Sequence, residues 1–137
     1  MATFAIKCLV LGGVANLVLS FGLGWVLSVY RAKGPMEPHR WLLVAHEVSL
    51  QEGVMLLGLA YAAGFVRLPV WLASGGALAV VIASFFQDAS GFMNWLRRTN
   101  DQFAEKSLGW KLAGVNAVLN TAGLGILAIG VVRGLLA

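Results

Sequence analysis

The chain has too little charge to coat the surface of a soluble protein. Lys and Arg number 10 and Asp and Glu only 6 in 137 residues, while 59% of the chain is hydrophobic and the mean hydropathy is +0.82. Soluble domains are about one quarter charged, so that class is the first to be excluded. Cysteine is nearly absent. The one residue, Cys8, excludes an intrachain disulfide and reads as a small lipid- or helix-facing side chain at the start of an apolar run. The net charge of +4 could suggest nucleic acid. However, the basic residues cluster at the ends of apolar runs and form no stripe interleaved with aromatics, so a nucleic-acid partner is not expected. No internal repeat or low-complexity segment is present. No Ala-x-Ala cleavage site follows the first apolar run, which is longer than a signal h-region and is expected to stay in the mature protein.

What is present is apolar length. A hydrocarbon core of about 30 Å needs roughly 20 apolar helical residues. Four runs meet that need, about 8–30, 41–65, 70–96 and 108–132, predicting an all-α integral membrane protein, a four-transmembrane-helix bundle in one domain. The first run ends at Arg31, Lys33, Gly34 and Pro35, and a Pro-x-x-Pro turn follows. The second closes at Arg67 and Pro69, leaving a link so short that spans two and three must be antiparallel neighbours. Trp41, Trp71, Trp95 and Trp110 lie near predicted span ends, where an amphipathic ring prefers the headgroups, and only Trp25 sits deeper. The loops of residues 31–40 and 97–107 hold Arg31, Lys33, Arg40, Arg97, Arg98 and Lys106, against Lys7, Arg67 and Arg133 on the other side. The positive-inside rule therefore places those loops in the cytoplasm and both termini outside it, in a multi-pass protein of the cell inner membrane. The 17 glycines predict close helix packing.

Polar residues inside the spans need a reason, because an ionisable group in hydrocarbon is costly unless paired or hydrated. The second span concentrates them, from His46 and Glu47 through Ser49 and Gln51 to Glu52. At 100° per residue, His46, Ser49, Leu50 and Gly53 share one face, Glu47 and Gln51 share a second, and Glu52 points elsewhere. The third span carries Ser84, Gln87, Gly91 and Asn94 in one stripe, flanked by Asp88. Asn16 and Ser20 on the first span, and Asn116 and Asn120 on the fourth, are expected to be interhelical hydrogen-bonding glue. Glu47 and Glu52 could reach the interface or pair with Arg40, Lys111 or Arg98. His46 lies five residues after Trp41 and Asn94 three before Arg97. In antiparallel spans, both then occupy the same leaflet, and one pocket can hold both. With Ser49 and Gly53 on its face, His46 leaves room for a plate-like ligand, which suits heme or another metal.

Ala45-His46-x5-Glu52-Gly53 resembles the Ala-His-x5-Asn-Gly signature in the second helix of membrane-bound styrene oxide isomerases, and the smaller hydroxylaminobenzene mutases are similar there. Ser90-Gly91-Phe92-Met93-Asn94 is similar to that family's Asp-Gly-Trp-Ala-Asn, and Asn100-Asp101-Gln102-Phe103 to a related Asn-Gln-Phe. The similarity covers the chain from about Trp41 into the fourth span. It implies a homotrimer binding heme b near subunit boundaries, with His46 as axial iron ligand, Ser49 and Gly53 beside the cofactor, and Asn94 orienting a small aromatic substrate. Ferric heme would act as a Lewis acid on an epoxide oxygen, and a 1,2-hydride shift would give an aldehyde. Two departures put charge in the implied catalytic set. Arg98 stands where the isomerases have tyrosine, and Glu52 where they have asparagine, which leaves the substrate open; the short chain is closer in size to the hydroxylaminobenzene mutases, so an aryl hydroxylamine rearranging to an aminophenol is the alternative. A b-type electron carrier would want a second axial histidine, and the only other one is His39, in the Pro-flanked loop. A proton-coupled exporter of lipophilic cations using Glu47, Glu52 or Asp88, and a helper subunit of a larger complex, are the competing classes.

Overall fold

The computed structural model describes residues 3–34 and 40–137. Pro35, Pro38 and His39, and with them the Pro-x-x-Pro turn and the second histidine, lie outside the described residues. The chain forms four α-helices: α1 Thr3–Lys33, α2 Arg40–Ala62, α3 Val70–Leu96 and α4 Leu108–Leu135. A 3-10 turn, Ala63–Phe65, extends α2. Each helix is long and apolar enough to cross a membrane, so the chain is built as a multi-pass membrane protein. α1 begins five residues before the hydropathy limit and ends three after it. At about 1.5 Å per residue, it is roughly 46 Å long against a hydrocarbon core of about 30 Å. Its ends, carrying Lys7, Arg31 and Lys33, therefore project into the interfaces.

α1 packs along α2, and α3 along α4. The two pairs join through contacts of α3 with α1 and α2, leaving α4 on the flank. Both pairs meet at a glycine crossing. A Cβ on Gly53 of α2 would sit 3.1 Å from the Gly13 carbonyl oxygen of α1, and one on Gly123 of α4 would sit 2.7 Å from that of Gly76 of α3. Lipid gives helices no hydrophobic drive to associate, so such backbone approach supplies the packing instead.

The interior of α1, α2 and α3 is layered. At one end Ala5, Leu9, Leu56, Ala60, Ala77 and Val80 form an apolar cluster. At the other, Leu23, Leu27, Leu42 and Ala45 form a second, edged by Tyr30 and Trp95. Between them lies a buried polar layer: Asn16 and Ser20 from α1, Ser49 and Glu52 from α2, Ser84 and Asp88 from α3. Because Asn16, Glu52 and Ser84 each stand near the middle of their helices, this layer occupies the centre of the span.

The α3–α4 connection is tightly specified. Arg98, at φ 51°, ends α3 in a left-handed conformation. Thr99 N–H donates to the Asn94 carbonyl and Arg98 N–H to that of Trp95, the pattern of a Schellman cap. Ser107 caps α4, its Oγ accepting from Trp110 N–H at 3.0 Å. Trp41 Nε1 donates to the Thr99 carbonyl, tying the start of α2 to this connection at one end of the bundle.

Candidate functional site

The histidine of α2 faces α1. His46 Nδ1 lies 2.8 Å from the Ser20 carbonyl oxygen, and a carbonyl only accepts, which assigns the proton to Nδ1. Ser20 Oγ lies 3.1 Å from the same nitrogen and donates to the His46 carbonyl at 3.0 Å. The ring is thereby fixed, and Nε2 has no partner among the described residues. The imidazole stands opposite Gly24, where a Cβ would lie 3.3 Å from the ring. It opens into a groove of about 480 Å³ lined by Phe21, Gly24, Trp25, Leu27, Arg31, Leu43 and Glu47 among others. That is within the roughly 300–1,000 Å³ of small-molecule sites. The groove lies on the outer face of α1 and α2. Trp25 is 76% and Phe21 73% exposed, so the chain covers it from one side only.

The structure separates the other predicted residues from this groove. Ser49 turns toward α3, its Oγ 2.7 Å from Asp88 Oδ1 and 2.8 Å from the Ala45 carbonyl oxygen, the two acceptors sharing its single proton. Gly53 is spent on the α1 crossing, under Leu17. Glu52 is buried in the polar layer, where the charged neighbour it feels is Asp88, and its Oε2 has no partner. The expected pairing of Glu52 with a basic residue is not made among the described residues. Residues three apart on a helix diverge by about 60°, enough for one neighbour helix to take His46 and another Ser49. Glu47 does remain with His46, lining the groove from its exposed position.

Asn94 and His46 share a level in the bundle, since Ala45 packs on Gly91, but not a pocket. Asn94 is wholly buried in the α3–α4 connection. Its Nδ2 donates to Gln102 Oε1 at 2.9 Å and its Oδ1 accepts from Ser107 Oγ at 2.7 Å, while its side chain rests against Gly109. Both ends of the amide are thus committed to holding the hairpin. Arg98 is exposed and lines no part of the groove. The predicted glue is formed by three of four residues: Asn16 Nδ2 donates to Ser84 Oγ at 3.0 Å, Ser20 meets His46, and Asn116 Nδ2 donates to Gln87 Oε1 at 2.8 Å. Asn120 Oδ1 has no partner.

Sequence reasoning missed the α1 wall of the groove. The signal was there in Ser20, Gly24, Leu27 and Arg31, which recur at helical spacing along one face of α1. It also left Asp88 at the edge of a stripe, although Asp88 follows Ser84 by one turn and both prove buried. Among the described residues no three or more His, Cys, Asp or Glu side chains converge on a metal position. A heme asks less of the chain, since the porphyrin supplies the in-plane ligands. No family model, no curated protein and no solved structure matches this chain.

Proposed function

We propose that the chain is a membrane-embedded, heme-binding isomerase of small aromatic substrates, assembled as a trimer in the inner membrane with the 31–40 and 97–107 loops in the cytoplasm. The observation that carries the reading is His46: its Nδ1–H is held by a backbone carbonyl, its Nε2 has no partner among the described residues, and the residue lines a groove with apolar walls and two charged side chains. Ligating histidines are held in this way, the outer hydrogen bond fixing tautomer and ring direction. Gly24 keeps the space before the ring clear, Phe21, Trp25, Leu27 and Leu43 offer apolar walls, and Arg31 offers a cation to an acidic substituent. A neighbouring copy would cover the open side and exclude water.

When bound, heme iron supplies a Lewis acid able to stabilise the charge that develops on oxygen as a carbon–oxygen bond breaks. The chain's own part is to hold His46, keep the groove dry and position the ring of the substrate. Asn94 enters this reading as a support of the α3–α4 hairpin, since both ends of its buried amide already hold partners there. An aryl epoxide is the substrate favoured by the motif resemblance, and an aryl hydroxylamine is its competitor.

Absorbance of detergent-purified protein tests the reading directly. A Soret band in the wild type, lost in His46→Ala and accompanied by conversion of an aryl epoxide or aryl hydroxylamine, is the expected result. Colourless wild-type protein after expression with ample heme, or full heme occupancy in His46→Ala, would overturn it.

A further inference from the structure

The polar layer at the centre of the span holds two acids and no base. Glu52 and Asp88 are 9% and 6% exposed, and each keeps one buried carboxyl oxygen, Oε2 and Oδ2, without a partner among the described residues. Ser49 sits between them, one turn before Glu52 on α2 and hydrogen-bonded to Asp88 Oδ1. A third orphan comes from a different helix. Asn16 of α1 is 0% exposed, its Nδ2 is bound to Ser84 Oγ one turn from Asp88, and its Oδ1 has no partner. Its Nδ2 also donates back to the Gly12 carbonyl, so both amide N–H donors are taken and only the acceptor Oδ1 is left over.

All three orphaned atoms are acceptors. Hydrogen-bonding side chains of the layer are already committed: Ser49 Oγ to Asp88 and Ala45, Ser84 Oγ to the Val81 carbonyl, and Ser20 Oγ to His46. No cationic side chain reaches in from any packed element. On α1 the ionisable groups are Lys7, Cys8, Tyr30, Arg31 and Lys33, all toward the ends. On α2, Arg40 stands at the start, His46 is turned to Ser20, and Glu47 and Tyr61 are exposed. On α3 Asp88 is the sole charged residue, and on α4 Lys111 and Arg133 are exposed. Two carboxylates at the centre of a bilayer, walled above and below by apolar clusters, need positive charge from elsewhere.

We infer that Glu52 and Asp88 form a proton-binding pair at the centre of the bundle, with Asn16 Oδ1 as a further acceptor for the bound proton. Loading is an association: a hydronium ion gives its proton to a carboxylate oxygen, an O–H bond forms, and water is left. The new O–H is a donor placed among orphaned acceptors. The site is independent of the heme groove, since neither acid lines it.

Infrared spectroscopy of the purified protein in lipid at neutral pH tests this. The wild type should show a protonated-carboxyl carbonyl stretch that moves on exchange into heavy water, weakens in Glu52→Gln and in Asp88→Asn, and is unchanged in Glu105→Gln, an exposed carboxyl of the α3–α4 connection. A wild type with no such band, or a band indifferent to both substitutions, overturns the inference. Heavy-carbon labelling of aspartate or glutamate carboxyls assigns the band in the wild type if the variants fail to fold, and a band that shifts with neither label overturns it too. Thermal melting in sodium, calcium or magnesium chloride at constant ionic strength provides the competing arm. Equal midpoints are expected, whereas a rise with one cation that is lost in Glu52→Gln would show a metal ion neutralising the pair, against the inference.

Discussion

Asn94→Ala separates a structural from a catalytic asparagine, and its cost can be worked from the contacts. The substitution removes the 2.9 Å bond to Gln102 Oε1 and the 2.7 Å bond from Ser107 Oγ. Each is worth about 1 kcal/mol net, with more lost where a buried partner is left unsatisfied. The void forms beside Gly109, which has no side chain to collapse into it. Ser107 is also the cap of α4, so its hydroxyl would lose the partner that orients it. The total is about 2–4 kcal/mol. Equilibrium unfolding in mixed detergent, compared with Ser107→Ala and the double variant, should show non-additive costs. Gly109→Ala supplies an independent check. Its new Cβ runs into the Asn94 amide in the wild type, but has room in an Asn94→Ala background, so its cost should shrink or reverse there. An Asn94→Ala protein of wild-type stability that has lost turnover would refute the clamp.

Two further substitutions probe the frame. Arg98→Gly should raise stability by about 1 kcal/mol, because glycine adopts the left-handed φ without strain, and it should leave the proposed heme binding unchanged since the side chain lies outside the groove. A fall in unfolding midpoint would contradict this. Gly123→Ala should cost about 1–3 kcal/mol, because its Cβ would meet Val80 Cγ2 at 2.6 Å and the Gly76 carbonyl oxygen at 2.7 Å, whereas Gly125→Ala, with open space around it, should be tolerated. Equal melting temperatures for the two alanine variants would argue against the α3–α4 crossing.

The spans were legible because lipid imposes a length of apolar sequence, and the limits 41–65 and 70–96 fall within a residue or so of the helical segments. Helices α1 and α4 run past the span limits 8–30 and 108–132, since hydropathy marks the hydrocarbon and not the helix, and Lys7 and Arg133 are helical although polar. The candidate histidine was legible too, because a histidine in an apolar run stands out by its cost.

Its surroundings were not. His46 and Ser49 share a broad face on a helical wheel, yet in a bundle that face touches two helices, and the choice between α1 and α3 depends on crossings set by Gly13 and Gly53. Asn94 shows the same limit: its spacing before Arg97 specifies depth, while its partners Gln102 and Ser107 come from a loop whose path depends on the left-handed turn at Arg98. Sequence by itself therefore determined the membrane class, the number of spans and the depth of each polar residue, since these follow from solvation along one axis. Only the tertiary structure decided that His46 opens outward against α1 while Glu52 and Asp88 are buried inside the bundle, because azimuth is set by helix packing, which no single helix contains.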